Sequence, residues 1–146
     1  MDKANEFYTF KGYQTSREGE LTPAMEDYLE MIYRLLRNQA VVRIGELSDH
    51  LHVKPSSASK IVQTLKELDY IEYEKYGYIL LTEKGQEEGA YLLYRHEVLE
   101  RFLCLLNNTS TELEQVENLE HFVNRLTVEN LRRLTDRLGG GLTWPS

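Results

Sequence analysis

The sequence predicts a mainly α-helical chain with one small β-hairpin, arranged as a winged helix-turn-helix lobe followed by an α-helical lobe. Three observations carry that expectation. Two helical patterns meet at a tight turn before Pro55, two short runs rich in tyrosine, isoleucine and leucine flank Lys75-Tyr76-Gly77, and a long helical pattern runs from Thr82 to about Leu106. At 146 residues, 41% hydrophobic and 28% charged, the chain has ample apolar material for a core and about the length of one domain, or of two small lobes sharing a core.

Residues 1–20 hold Phe7, Tyr8, Phe10 and Tyr13 among polar neighbours without a clear period, which predicts a mobile or loosely docked arm. Thr22-Pro23 then reads as a helix start, with threonine at the N-cap and proline at the first helical position. Met25, Tyr28, Leu29, Ile32, Leu35 and Leu36 recur at helical spacing to about Asn38. Asp27 and Glu30 lie beside that stripe, either as a solvated acidic edge or as a pair of metal carboxylates.

Val41-Val42-Arg43 is a short apolar run, Ile44 to Leu51 a short helix, and His52-Val53-Lys54 a turn. Pro55 opens the next helix, whose buried face is marked by Ala58, Ile61, Val62, Leu65 and Leu68. Opposite that face stand Ser56, Lys60, Gln63 and Glu67, flanked by Ser57, Ser59 and Thr64. Short polar and basic side chains on a helix following a tight turn suit entry into a major groove, although an ordinary solvated face has the same appearance. Tyr70 to Glu74 and Tyr78 to Thr82 then pair as a hairpin, with Lys75 and Tyr76 at the wing tip, placed to touch a nucleic-acid backbone. Lys54, Ser56, Ser57, Ser59, Lys60, Gln63, Lys75 and Tyr76 are the candidate DNA contacts.

The long pattern from Thr82 is apolar around much of its later circumference, through Ala90, Leu93, Tyr94, Leu99, Phe102, Leu103, Leu105 and Leu106, and so predicts a subunit interface. His96 lies near its apolar face, as a core histidine or a ligand. Cys104 reads as a small buried hydrophobe. Thr111 and Glu114 match a capping box opening the next helix, and a last helix is expected from about Thr127 to Leu138, ended by Gly139-Gly140-Gly141. The expected division is 1–20 arm, 21–84 winged helix-turn-helix, 85–146 helical dimerisation and metal-binding lobe.

Glu117, Glu120 and His121 are spaced i, i+3 and i+4, which on one continuous helix places two carboxylates and an imidazole on a single face. A cation against them relieves the repulsion. The whole chain is acidic, with 24 carboxylates against 17 basic residues and a formal charge of −7, which argues against unconditional nucleic-acid binding. An acidic DNA-binding protein gains from local basic patches or bound cations. A single cysteine excludes an intrachain disulfide and a thiolate-rich zinc site. No apolar run of about 18 residues exists and the N-terminus is too polar for a secretory signal, so the expected location is cytoplasmic.

Thr22-Pro23-Ala24-Met25-Glu26-Asp27-Tyr28-Leu29-Glu30, Val53-Lys54-Pro55-Ser56-Ser57-Ala58-Ser59-Lys60, Tyr73-Glu74-Lys75-Tyr76, Tyr94-Arg95-His96-Glu97 and Glu117-Asn118-Leu119-Glu120-His121 together resemble the manganese transport regulators. These belong to the diphtheria-toxin-repressor-like group of metal-dependent repressors, and the resemblance spans roughly Leu21 to Leu138. It implies Asp27, Glu30, His96, Glu117, Glu120 and His121 as metal ligands, two Mn²⁺ ions per subunit, a homodimer and a double-stranded DNA operator. Iron-activated relatives have methionine and cysteine where this chain has Asp27 and Glu117. Four carboxylates and two imidazoles form a hard, oxygen-rich set that suits Mn²⁺. The twenty residues before the first helix and the last eight depart from the resembling proteins.

The expected mechanism is a repressor in which Asp27, Glu30, Glu117 and Glu120 repel one another without metal and are tied together with it, fixing the spacing of two recognition helices. An iron- or zinc-responsive repressor of the same family is the alternative reading. A dinuclear metal hydrolase and a metal-free winged-helix interaction module are more distant ones. No enzyme activity, membrane partner or small organic substrate is expected.

Overall fold

The computed structural model describes residues 9, 21–73 and 77–139. The expected arm over 1–20, the wing tip at 74–76 and the last seven residues otherwise lie outside the described residues. Helix α1 (Pro23–Leu36) begins as the sequence predicts, with Thr22 Oγ1 accepting the Met25 N–H at 3.2 Å and Pro23 at the first helical position. It is followed by β1 (Val42–Arg43), α2 (Ile44–Leu51), α3 (Pro55–Glu67), β2 (Ile71–Tyr73) and β3 (Tyr78–Leu81). Then come α4 (Glu83–Asn107), α5 (Leu113–Leu119), a 3-10 turn (Glu120–Phe122) and α6 (Arg125–Gly139).

The α2–α3 turn closes without glycine. His52 takes the left-handed conformation at φ 57°, which lets the Val53 N–H reach the Ser48 carbonyl at 3.0 Å. Asp69 does the same after α3, and Asn108 after α4. The hairpin is present and gains a strand the hairpin pattern did not include. β1 pairs antiparallel with β3 through Val42–Ile79 and Arg43–Tyr78, giving the order β1-β3-β2. Arg43 Nη2 donates to the Tyr78 hydroxyl at 2.9 Å across that pairing.

Tyr28, Leu29 and Ile32 of α1 share one core with Val42, Leu47, Ala58, Val62, Leu65, Ile71, Ile79 and Leu92. A second, smaller core joins Leu99 and Leu103 of α4 to Val116, with Phe102, Leu119, Val123 and Leu131 packed around it. Helix α4, 25 residues and so about 37 Å long, therefore runs through both cores. Its first half can approach because it presents glycine. A Cβ on Gly85 would stand 1.8 Å from the Tyr70 carbonyl oxygen, and one on Gly89 would stand 2.7 Å from the Cβ of Tyr33 on α1.

Two expectations about caps change. Thr111 Oγ1 accepts from Leu113 N at 3.4 Å, two residues on, so it makes a local turn rather than a capping box, and α5 starts at Leu113 without a side-chain cap. The last helix starts at Arg125, with Asn124 Oδ1 accepting the Thr127 N–H at 2.9 Å. Cys104 is half-buried. No helix among the described residues is long and apolar enough to cross a membrane.

Because Tyr33 is held by its own helix, Gly89→Ala must push α1 and α4 apart. Urea unfolding should show a loss of about 1–3 kcal/mol, and an unchanged midpoint would contradict the close crossing.

Candidate metal centre and nucleic-acid interface

Three elements converge where α1 crosses the middle of α4. Helix α1 presents Glu26, Asp27 and Glu30; α4 presents Arg95, His96 and Glu100; and the 3-10 turn presents Glu120 and His121. His96 Nδ1 lies 2.9 Å from Glu120 Oε2, and its Nε2 lies 3.4 Å from Glu100 Oε2. His121 Nδ1 lies 2.9 Å from Glu26 Oε1, and its Nε2 lies 3.2 Å from Asp27 Oδ1. Glu30 is 2.5 Å from Arg34 one turn along α1.

Two groups of donors result. Asp27, Glu120 and His121 form one, and Glu30, His96 and Glu120 the other, with ligand atoms in each group within 4.8 Å of one another. Donors bound to one ion at about 2.0–2.6 Å stand no more than about 5 Å apart, so either group can share a divalent cation without large rearrangement. Glu120 belongs to both. In the second group Glu30, His96 and Glu120 are 8%, 5% and 2% exposed. Buried carboxylates this close demand a counter-charge. All donors are oxygen or nitrogen, which fits a hard divalent ion better than a thiophilic one.

The repulsion expected among these carboxylates is already answered by cations of the chain. Burial lowers the His121 pKa, but hydrogen bonds to Asp27 and Glu26 outweigh it and raise it to about 9. The hydrogen bond to Glu120 likewise raises His96, against the effect of burial. Burial raises Glu30, partly offset by Arg34 and reinforced by Glu120. A metal ion entering here competes with protons on both imidazoles, so its uptake releases protons.

Five of the six sequence-predicted ligands fall in these groups; Glu117 falls in neither and is exposed on α5. The single-helix spacing does not hold, because α5 ends at Leu119 and Glu120–Phe122 winds as a 3-10 turn. At about 3.0 residues per turn the side chains after Leu119 leave the α-helical phase. The residues that were not foreseen are Glu100, one helical turn from His96, and the pair Glu26 and Arg95, each adjacent to a predicted ligand. An i, i+4 search from His96 finds Glu100; nothing local reveals Glu26–Arg95, a contact across 69 residues.

On α3, Lys54, Ser56, Ser57, Lys60 and Gln63 are exposed and Ser59 is half-buried, while Ala58, Val62 and Leu65 face the core. Gln63 Nε2 lies 3.5 Å from Glu67 and is otherwise directed outward. Lys75 and Tyr76 lie outside the described residues.

Residues 20–79 match the family model for the iron dependent repressor N-terminal DNA binding domain, and residues 82–139 match that for the iron dependent repressor metal binding and dimerisation domain. The chain belongs to the iron-dependent repressor family. Among relatives, the HTH-type transcriptional regulator MntR of Shouchella clausii is 42% identical over 104 residues, 70% of this chain and 73% of that protein. The MntR of Geobacillus thermodenitrificans is 40% identical over 111 residues, covering 75% and 79%. The solved structure of the manganese regulator SloR superposes with a TM-score of 0.68 at 29% identity, over 86% of this chain and 61% of that one. The chain thus spans about three fifths of that solved regulator.

Within an iron-dependent repressor the two lobes have assigned tasks. The winged helix-turn-helix binds DNA, and the lobe from α4 onward binds metal and dimerises. Leu106, Leu113, Leu126, Leu134 and Leu138 are large exposed apolar residues of this second lobe, as a dimerising lobe requires.

In chelator-treated protein the His121 pairing stabilises fully below about pH 6.5, where imidazole is protonated folded or unfolded, and is lost as pH rises through about 9. With Asp27 half-exposed, the contribution is on the order of 2 kcal/mol. Thermal melts of wild type and His121→Gln should therefore differ most near pH 6 and converge by roughly 5–10 °C toward pH 10. A gap that stays constant or widens with pH contradicts the pairing.

Proposed function

We propose that this protein is a homodimeric transcriptional repressor whose grip on its DNA operator is controlled by Mn²⁺, bound at two adjoining positions per subunit. Asp27, Glu120 and His121 hold one position and Glu30, His96 and Glu120 the other, with Glu100 within reach of His96. Glu117 completes the set that the family resemblance implies. The observation that carries the reading is the sharing of Glu120 between both groups, since one buried carboxylate then joins α1 to α4 and to the 3-10 turn. The MntR relatives and the manganese regulator SloR support manganese as the metal, as does the absence of sulfur from both donor groups.

When bound, Mn²⁺ would take the place of the protons on His96 and His121 and supply a divalent positive charge at this joint. The protein's residues convert that charge into position. Asp27 and Glu30 are drawn to His121, His96 and Glu120, which clamps α1 against the second lobe. Leu29 and Ile32 on the opposite side of α1 lie in the same core as Ala58, Val62 and Leu65 of α3, so the orientation of α3 follows that of α1. In the dimer this sets the distance between two copies of α3. Lys54, Ser56, Ser57, Ser59, Lys60 and Gln63, together with the sequence-predicted contacts Lys75 and Tyr76, then meet two half-sites in register.

Operator binding should tighten at least about tenfold with Mn²⁺, and Glu120→Gln should abolish that gain while leaving the circular dichroism spectrum unchanged. Equal affinity of metal-free and Mn²⁺-loaded protein overturns the switch, and a larger gain with Fe²⁺ or Zn²⁺ at buffered free concentrations reassigns the metal. Lys60→Ala and Gln63→Ala should each weaken operator binding by about 1–3 kcal/mol without changing Mn²⁺ affinity. Loss of metal binding in those variants would refute the separation of the two sites.

A further inference from the structure

The contacts of Glu26 are unlike those of the acidic residues beside it. Its Oε2 lies 3.2 Å from Arg95 Nη1, its Oε1 lies 3.3 Å from Arg95 Nη2, and the same Oε1 lies 2.9 Å from His121 Nδ1. Both oxygens are therefore engaged, and Glu26 belongs to neither donor group. The side chains of Glu26, Arg95 and His121 are 14%, 4% and 7% exposed. A planar guanidinium gripping both oxygens holds a carboxylate in one orientation, which a single hydrogen bond does not.

A cleft of about 760 Å³ opens beside His121, lined by Glu26, Tyr91, Arg95, Asn124 and Arg125 among others, so Glu26 and Arg95 form its wall next to the ring. Among the described residues Arg95 Nε finds no hydrogen-bond partner, and the charge on this buried guanidinium is met through its contacts with Glu26. Removing Glu26 would leave an uncompensated cation next to a site meant for a cation, and would release the ring.

We infer that Glu26, locked by Arg95, is the positioning residue of the metal centre: it captures Nδ1 of His121 and leaves Nε2 facing Asp27 as the ring's donor. The inference rests on the reading of His121 as a metal ligand. Carboxylates that accept the second N–H of a ligating imidazole fix which nitrogen is free, and their loss costs about 10–100-fold in metal affinity. Here the carboxylate sits on α1 and its lock on α4. The contact therefore also ties the two lobes together independently of metal.

The test uses the full chain with ¹⁵N-labelled histidine. In metal-free wild type the His121 Nδ1–H should exchange slowly with water; it should exchange fast in Glu26→Ala and remain slow in Asp27→Ala, which removes a ligand but not the clamp. With Cd²⁺ as a diamagnetic probe, scalar coupling should identify Nε2 as the bound nitrogen in wild type, and Glu26→Ala should lose that coupling or show both nitrogens. Mn²⁺ affinity should fall about 10–100-fold in Glu26→Ala and less in Glu26→Gln, which keeps the acceptor but not the charge. Coordination through Nδ1 in wild type, or Glu26→Ala with Mn²⁺ affinity within about twofold of wild type, overturns the inference. If wild type binds neither ion, the metal reading fails, and the Nδ1–H exchange rates still decide whether Glu26 holds the ring.

Discussion

Leu29 and Ile32 are fully buried in the core of the DNA-binding lobe, while Glu26, Asp27 and Glu30, on the same 14-residue helix, meet His121, Arg95 and the buried pair His96–Glu120. Helix α1 thus answers to an apolar surface on one side and a charged one on the other. The apolar side is rigid, because close-packed cores tolerate little displacement. The charged side is adjustable, because its partners depend on protons and cations. A change at the charged joint therefore has to move the packed lobe as a unit, and α3 is part of that unit.

The charged side is stabilised in two separable ways. Arg95 holds Glu26 whatever the metal supply, since a guanidinium grips both carboxylate oxygens and, having no acceptor, is not itself a metal ligand. In the proposed reading the imidazoles of His96 and His121 are exchangeable, each holding a proton until a metal ion replaces it. A permanent contact that keeps α1 near its site, beside an exchangeable one, is the arrangement on which the proposed switch rests. Such a device needs no unfolding of either lobe, and α4 running through both cores provides the common frame.

Much of this architecture was legible in local sequence. Thr22-Pro23 and Thr82 mark helix starts because a side-chain oxygen can satisfy a free N–H only a few residues away, and both do so. The stripes on α1 and α3 follow from the helical period, and the polar face of α3 is the complement of its buried one. The strand β1 was not legible, because two residues carry no period and their partners, Ile79 and Tyr78, lie far along the chain. The helix ends near His52 and Asn108 were legible, but the left-handed caps there and at Asp69 were not, since none offers the glycine that usually marks one.

The metal centre divides along the same line. The sequence by itself determined the chemistry available, namely carboxylates and imidazoles without sulfur, while the family resemblance implied Asp27, Glu30, His96, Glu117, Glu120 and His121 as its bearers. The tertiary structure alone decided how they combine. Whether Glu120 serves two groups, whether Glu117 joins either, and which carboxylate grips Nδ1 of His121 all depend on where the 3-10 turn carries its side chains relative to α1 and α4. Those distances arise from contacts between residues far apart in the chain, and spacing along a single element contains no information about them.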